Sequence, residues 1–594
     1  MNKFRELCFS KKKGFAEYFA LLLYITGLAV IGYFHEHWFD EAQAWQIARS
    51  ASVREILTVV PHYEGHPPLW HLVLVPFAKL GAPYHFSLCF VNILFCSAAA
   101  ALLLFRSPFP KAVRCTLPFT YFFFYQYGVI CRPYSMMTLA FMLIAMTYSS
   151  RDRKPWRYVL SLCFLCMTTT ICIIIAGGLC IVWTGEILAE LKNSRRLNSF
   201  WKDKRFLPLL TILILAIAIL LITRTADDCY YAGIEYRSDI KAILSNWSNH
   251  LTMLYMPAES WIGTLTNYSR NSGDDIIGII LSSVCGAAIW AFLIAVTRKN
   301  KKLLTFLVPY LMYAIFLSYF YLSVHHFGIG TMFHVFILWI MAEQPGGIIL
   351  PQTVINAAGK INSHFVKRTG IAGGIALYML NVLFSAVSSF NDIRYQYFPI
   401  AAVDYIKEHH LEDKKIMISW DYEYGEINDS VNHDSANENS GWFIHLAIPS
   451  NHPPVSKNRT LLSGLASTYL PYFDSNIFMN FNVRFPDDLY MHYAYKEDVQ
   501  KEFSLWREQG LPEFIIDYCP IDEVYDEKTL NGVRYAVIAE FPYHMNFKLN
   551  TTDQMVYMYI REDIVDDYPD IDILYDPRIA GEYVPPSKRT PSAR

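Results

Sequence analysis

"YFHEHWFDEAQAWQIARS", residues 33–50, starts where an apolar run ends. Within a few residues it brings together two histidines, two tryptophans and the adjacent acids Asp40-Glu41. Two readings fit the acid pair. Acids in a first turn complement the positive end of a helix dipole, and a helix from about Asp40 to Ser50 would carry Ala44, Trp45, Ile47 and Ala48 on an amphipathic face. Alternatively, one of the carboxylates is a reacting group held at a membrane surface. The choice depends on what surrounds the stretch.

Upstream lies the apolar run Phe15–Phe34, preceded by five basic residues (Lys3, Arg5, Lys11, Lys12, Lys13). It is too long for the core of a signal peptide and has no clear small-residue cleavage site, so it reads as a retained anchor. Over the 594 residues 53% are apolar, but unevenly: up to about Phe390 apolar runs of membrane-spanning length follow one another, and beyond it charged residues return at soluble-protein density. Runs near 20 residues can cross a bilayer as helices, which makes the chain a polytopic membrane protein. The net charge of −2 says little about partners, because the charges are segregated. Nucleic acid is not expected among them.

Basic residues cluster at the N-terminus and at 106–114, 151–157, 192–205, 298–302 and 360–368. The positive-inside rule assigns all of these to the cytoplasm. About eleven spans satisfy it: 15–34, 85–105, 115–130, 133–149, 156–170, 171–190, 206–223, 276–297, 303–322, 327–344 and 370–388. The run 156–188 is too long for one crossing, so it is expected to turn near Thr168-Thr169-Thr170. "HPPLWHLVLVPFAKLG", 66–81, is short and proline-bearing and reads as a re-entrant or interfacial helix. The expected protein is therefore a multi-pass cell-membrane protein with a cytoplasmic N-terminus. Residues 1–390 form its transmembrane domain, residues 391–584 a soluble extracytoplasmic α/β domain, and residues 585–594 a disordered tail. The outer face receives the 35–84 loop, Arg132-Pro133-Tyr134, an outer loop at 224–275, His325-His326 and the C-terminal domain.

That face collects the chemistry-bearing residues. "HYEGHPPLWH", 62–71, supplies His62, Glu64, His66 and His71 on a backbone shaped by Gly65 and two prolines. A divalent metal on His62, Glu64 and His66 is compatible with the residue types, but the spacing matches no strong ligand motif, so no metal or other required cofactor is assigned. Arg132, in "YGVICRPYSMM", sits at a membrane boundary; arginine there snorkels, or grips a lipid phosphate through its bidentate fork. His325-His326 closes a span, where it can cap a helix end or bond a phosphate or sugar. Eight of the twelve cysteines, Cys89 and the Cys163/Cys166 pair among them, lie inside apolar runs and read as small hydrophobes.

Taken in order, "WFDEAQAW", "GHPPLWHLVLVPFAKLG" and "CRPYSMMTLA" resemble the GT-C superfamily of membrane glycosyltransferases. The likeness is to its protein O-mannosyltransferase and aminoarabinose-transferase branch (glycosyltransferase family 39-like), and it covers roughly residues 15–345. It implies transfer of a sugar from a polyprenyl-phosphate donor to the hydroxyl of an extracytoplasmic glycan, lipid or protein, with inversion. Asp40 is then the general base and Glu41 its helper. Arg132 stabilises the leaving phosphate, with Tyr134, His66, His325 and His326 as further donor-binding residues and Glu64 and His62 on the active-site loop. The lysine that often grips phosphate in the aminoarabinose branch has no counterpart here; Gly65 and His66 occupy its neighbourhood.

Beyond residue 391, "AAVDYIKEHHL", "LASTYLPYF" and "VQKEFSLWREQG" read as helices, and "KKIMISW", "PEFIIDY", "RYAVIAEF" and "QMVYMYIRE" as strands. The alternation predicts a sheet packed by helices. The stretch 425–440 reads as a loop. Two other functions compete: a transporter, and a non-catalytic binder of lipid-linked sugar. Ion-coupled transporters place ionisable groups at mid-membrane, whereas here Glu17, Glu186 and Glu343 lie at span ends and only His334 lies deep.

Overall fold

The computed structural model describes residues 12–227, 229, 276–319, 324–353, 355–356, 364–395, 400–418, 464–482, 485–492, 508–517, 535–547 and 550–574. Most of the loop at 224–275, the 425–440 loop, most of the helix expected at 499–510 and the tail from 585 lie outside them.

Helices account for most of the first 394 residues. Those that position the site are α1 (Phe15–Phe34), α2 (Phe39–Ser50), α3 (Leu69–Lys79), α4 (Tyr84–Arg106), α5 (Tyr134–Tyr148), α6 (Pro155–Cys166), α7 (Thr170–Asn193), α8 (Phe206–Ile222), α9 (Ile276–Lys299), α10 (Leu303–Tyr319), α11 (Val324–Ala342) and α12 (His364–Arg394). Among the described residues five helical segments are long and apolar enough to cross a membrane: Phe15–Phe34, Tyr84–Arg106, Thr170–Asn193, His325–Ala342 and Ala372–Arg394. A helix stands at every expected span except one. The long run splits between α6 and α7 at Met167–Thr169, where the turn was expected. The 11 residues of α3, with Pro76 inside it, cover roughly 16 Å at 1.5 Å per residue, far short of a bilayer core.

The exception is 115–130. Here Lys111–Thr116 gives way to a 3-10 turn at Leu117–Phe119 and a π-helical turn at Phe122–Gln126. Pro118 withholds a backbone donor, so the α-helix stops there. Irregular backbone at membrane depth survives only when buried in protein and re-bonded, and both conditions hold. Residues Tyr121 to Cys131 are almost wholly buried. Tyr24 donates to the Phe123 carbonyl at 2.9 Å and Asn92 to the Gly128 carbonyl at 2.9 Å. At Gly128 itself a Cβ would collide with the Phe124 carbonyl oxygen, so the turn admits only glycine.

Charge separates the two ends of the bundle. At one end the basic clusters meet carboxylates: Arg114 pairs with Glu17, Arg151 with Glu186 at 2.7 Å, and Arg205 with Glu190 at 2.7 Å and Asp152 at 3.2 Å. The helices reverse between ends, and the starts of α4, α5, α7 and α11 and the finishes of α1 and α12 gather at the other, where His85 bonds the His35 carbonyl and Thr170 the Gly65 carbonyl. That second end is where the motif residues lie.

Beyond α12 a second core forms around a four-stranded mixed sheet of order β1-β2-β4-β3. Strand β1 (Ile416–Ile418) is parallel to β2 (Phe514–Asp517); β3 (Tyr535–Phe547) and β4 (Asn550–Arg561) pair antiparallel, with a bulge between Val537 and Ala539. Phe514, Ile515 and Ile516 are all buried, so both faces of β2 are covered. Helix α13 (Ala401–Glu408) buries Ala402, Val403 and Ile406 in the same core, as does the turn-and-a-half Gly464–Tyr469 with Ala466 and Tyr469. Composition puts the division of the chain at 390, but α12 runs through it to Arg394. The sheet half sits on α2: Phe39 is part of its core, and Arg49 donates to the Phe473 carbonyl at 2.8 Å.

Candidate functional site

The first turn of α2 divides the acid pair. Neighbouring residues on a helix point about 100° apart, and Asp40 and Glu41 face different partners.

Glu41 faces inward and is fully buried. At position N3 it reaches back to the backbone N–H of Trp38 at 2.8 Å, the reciprocal half of a capping box. It also accepts the backbone N–H of Cys131 and lies 3.2 Å from His35 Nε2 and 3.3 Å from His37 Nδ1. His35 continues the chain through Nδ1, 2.8 Å from Asp392 on α12. Burial would raise the Glu41 carboxyl, but the facing histidines outweigh it and hold the group below its ordinary value. Burial likewise works against a charged His35, and Asp392 and Glu41 overcome it, raising its pKa. This is a fully bonded internal network joining α1, α2, the turn before α5, and α12. Glu41, expected as a helper of Asp40, is thus turned away from it and bonded within the protein.

Asp40 faces the other way and keeps part of its surface open: its side chain is 22% exposed, and its Oδ2 lies 3.2 Å from Arg132 Nη1. The same Nη1 donates to the Asp40 carbonyl at 3.1 Å. Nη2 and Nε of Arg132 make no hydrogen bond among the described residues. Half the guanidinium fork therefore meets no partner among the described residues. Burial raises the Asp40 carboxyl above its ordinary value; Arg132 pulls it down and Glu41 pushes it up.

The second carboxylate beside Asp40 is Glu64. It sits at the end of a short helix, Val60–Glu64, closed by Gly65 at φ +66°, a conformation that disfavours any side chain with a Cβ. Gln43, one turn beyond Asp40, donates to Glu64 at 3.0 Å and to the Met491 carbonyl at 2.9 Å, and accepts the Met491 N–H at 2.7 Å. Burial lifts Glu64 to about 7; Gln43 opposes the shift and the neighbouring Asp40 adds to it. His66 and His71 are pushed down to about 3 by burial and by the charge of Arg132, and so are neutral. The Nδ1 of each is buried without a partner among the described residues. His326 also acts on His66, which brings the start of α11 into the group. Tyr134 stacks on Tyr127 at 4.9 Å and meets the His325 ring at 5.5 Å, and the two histidine rings lie 4.2 Å apart.

The structure thus gathers Asp40, Glu64, His66, Arg132, Tyr134, His325 and His326 at one end of the bundle. His62 leaves the group: its Nδ1 lies 2.6 Å from the Arg224 carbonyl, away from Asp40. A metal set of His62, Glu64 and His66 does not form. Sequence reasoning gave His71 no role, and it missed Gln43 and the buried network of His35, His37 and Asp392. Gln43 could have been found, because a residue three beyond Asp40 shares its helix face. Two groups of buried residues place ligand atoms close enough for one metal ion: His35, His37 and Glu41, and His37, Cys89 and Cys131. Cys89, expected to pack as a small hydrophobe, does lie in a buried apolar cluster and also belongs to the second of these groups. Comparison of the chain with family models, with curated proteins and with solved structures finds no match in any of the three.

Proposed function

We propose that the chain is a membrane glycosyltransferase of GT-C type that moves a sugar from a polyprenyl-phosphate donor to an acceptor hydroxyl outside the cytoplasm. The observation that carries the reading is the contact of Asp40 with a half-used Arg132 fork at the mouth of the first membrane helix. A donor phosphate takes the open Nη2 and Nε positions by charge-assisted hydrogen bonds. Its charge then competes with Asp40 for the guanidinium and leaves a carboxylate, already raised by burial, as a stronger base. The acceptor O–H gives its proton to Asp40 as its oxygen bonds to the anomeric carbon. The bond from that carbon to the phosphate oxygen breaks, and the electron pair leaves with the polyprenyl phosphate beside Arg132. Attack opposite the leaving group inverts the centre and needs one base, not the paired carboxyls of hydrolysis. Neutral His66 and His71 offer ring nitrogens to phosphate or sugar without repelling Arg132.

Loss of the protein from its cell should remove a sugar from surface glycans and leave its polyprenyl-phosphate form to accumulate, both read by mass spectrometry. In purified protein Asp40→Asn should reduce transfer by about 10²–10⁴-fold, the range for a lost general base, while donor still binds. Full turnover in that variant would remove Asp40 from the role. Unchanged glycans and lipid-linked sugars after loss would refute glycosyl transfer itself.

A further inference from the structure

Behind the Asp40 face, His37, Cys89 and Cys131 converge from three separate parts of the chain. His37 lies in the link between α1 and α2, Cys89 in the second turn of α4, and Cys131 immediately before Arg132. All three are buried, and one ligand atom of each lies within 4.8 Å of the other two. The Nε2 of His37 is 3.8 Å from Cys89 Sγ. A tetrahedral zinc with bonds of about 2.0 Å to nitrogen and 2.3 Å to sulfur separates two such ligands by roughly 3.5 Å. Small side-chain turns close the gap.

The imidazole is also oriented for the task. Its Nδ1 lies 3.3 Å from Glu41 Oε1, so an Nδ1–H donated to that carboxylate leaves the Nε2 lone pair toward the sulfurs. A carboxylate behind a histidine is the usual outer support of a metal ligand. Glu41 is itself fixed by the N–H groups of Trp38 and Cys131. His85, whose ring lies 4.9 Å from that of His37, stands beside the group with its Nε2 bonded to the His35 carbonyl.

From this geometry we infer that His37, Cys89 and Cys131 form a binding site for one thiophilic divalent ion, Zn²⁺. Two thiols release their protons on binding, and two thiolates neutralise a divalent charge, which suits a buried site. The ion has a structural consequence. It ties the residue before Arg132 to the link that leads into Asp40, and so fixes the distance between the two groups on the open face. Binding does not depend on glycosyl transfer being the reaction.

Full-length protein purified in detergent without chelator is assayed for metal by mass spectrometry. One zinc per chain is expected, lost in Cys89→Ser and in Cys131→Ser, with Glu41→Gln weakening affinity about 10–100-fold as an outer support should. Should a serine variant fail to fold, the wild type decides. Co²⁺ added to metal-stripped protein should give thiolate-to-metal charge-transfer absorption, and Zn²⁺ should protect both thiols from alkylation. Thiols that alkylate equally with and without Zn²⁺, no cobalt–thiolate band, or a Cys89–Cys131 disulfide in peptide mapping would each overturn the site.

Discussion

The two sides of α2's first turn differ in completeness. On the inner side every polar group of Glu41 and His35 has a partner, and the partners come from α1, α12 and the turn before α5. On the outer side, among the described residues, half the Arg132 fork and the Nδ1 atoms of His66 and His71 have no partner. Buried polar groups that lack partners cost stability. The satisfied side holds the fold, and the other side is where the proposed donor would bind.

The sharpest test of that contrast sets Asp40 against Glu41. Asp40→Asn should leave a folded protein with transfer lowered by about 10²–10⁴-fold. Glu41→Ala should destabilise by about 3–5 kcal/mol, because His35 and His37 keep their burial and lose the carboxylate. Thermal melting followed by tryptophan fluorescence separates the two outcomes. A soluble, stable Glu41→Ala protein would break the comparison.

Next is Arg132→Ala, expected to weaken donor binding about 10–100-fold, the loss of one charge-assisted bond at about 1.5–3 kcal/mol, where 1.4 kcal/mol is tenfold. Lysine should restore charge but not the fork, so Arg132→Lys should recover only part of the affinity. Equilibrium binding of polyprenyl phosphate measures both.

Glu64 predicts a pH dependence. Its folded pKa of about 7 exceeds its ordinary value of 4.5. Between these two values the folded chain keeps a proton that the unfolded chain has released, so stability falls as pH rises through the window and is level above it. The anion formed above about 7 also competes with donor phosphate for Arg132, so donor affinity should fall there. Glu64→Gln should flatten both profiles, as measured by melting and by binding from pH 5 to 9. The smallest effect is expected from Gln43→Ala. Its bond to Glu64 opposes the upward shift, so removing it should move the midpoint of the binding profile to higher pH.

Much of the architecture is legible in local patterns. Apolar run length places helices at every expected span except 115–130, and the turn near Thr168 follows from a run too long for one crossing. Among the described residues, the short helices and strands after residue 400 follow from their apolar periodicity. The 115–130 segment misled because hydropathy reports burial and not helicity: a π turn and a proline break are as apolar as a helix when Tyr24 and Asn92 re-bond their carbonyls. The site was legible as a list of residues and illegible as an arrangement. His62 and His66 are equally polar neighbours in one motif, yet the Arg224 carbonyl draws one away while Arg132 acts on the other.

The sequence by itself determined that this chain is mostly apolar helix, with its polar motifs spaced to meet at one end of the bundle and its basic clusters at the other. Only the tertiary structure decided which acid of the pair is buried in a bonded network, that Glu64 is the carboxylate beside Asp40, and that two cysteines lie close to one histidine. The reason is range. Helix and strand periodicity is set by neighbours within a few residues, whereas the partners of His35, Gln43 and Arg132 lie far along the chain and are chosen by packing.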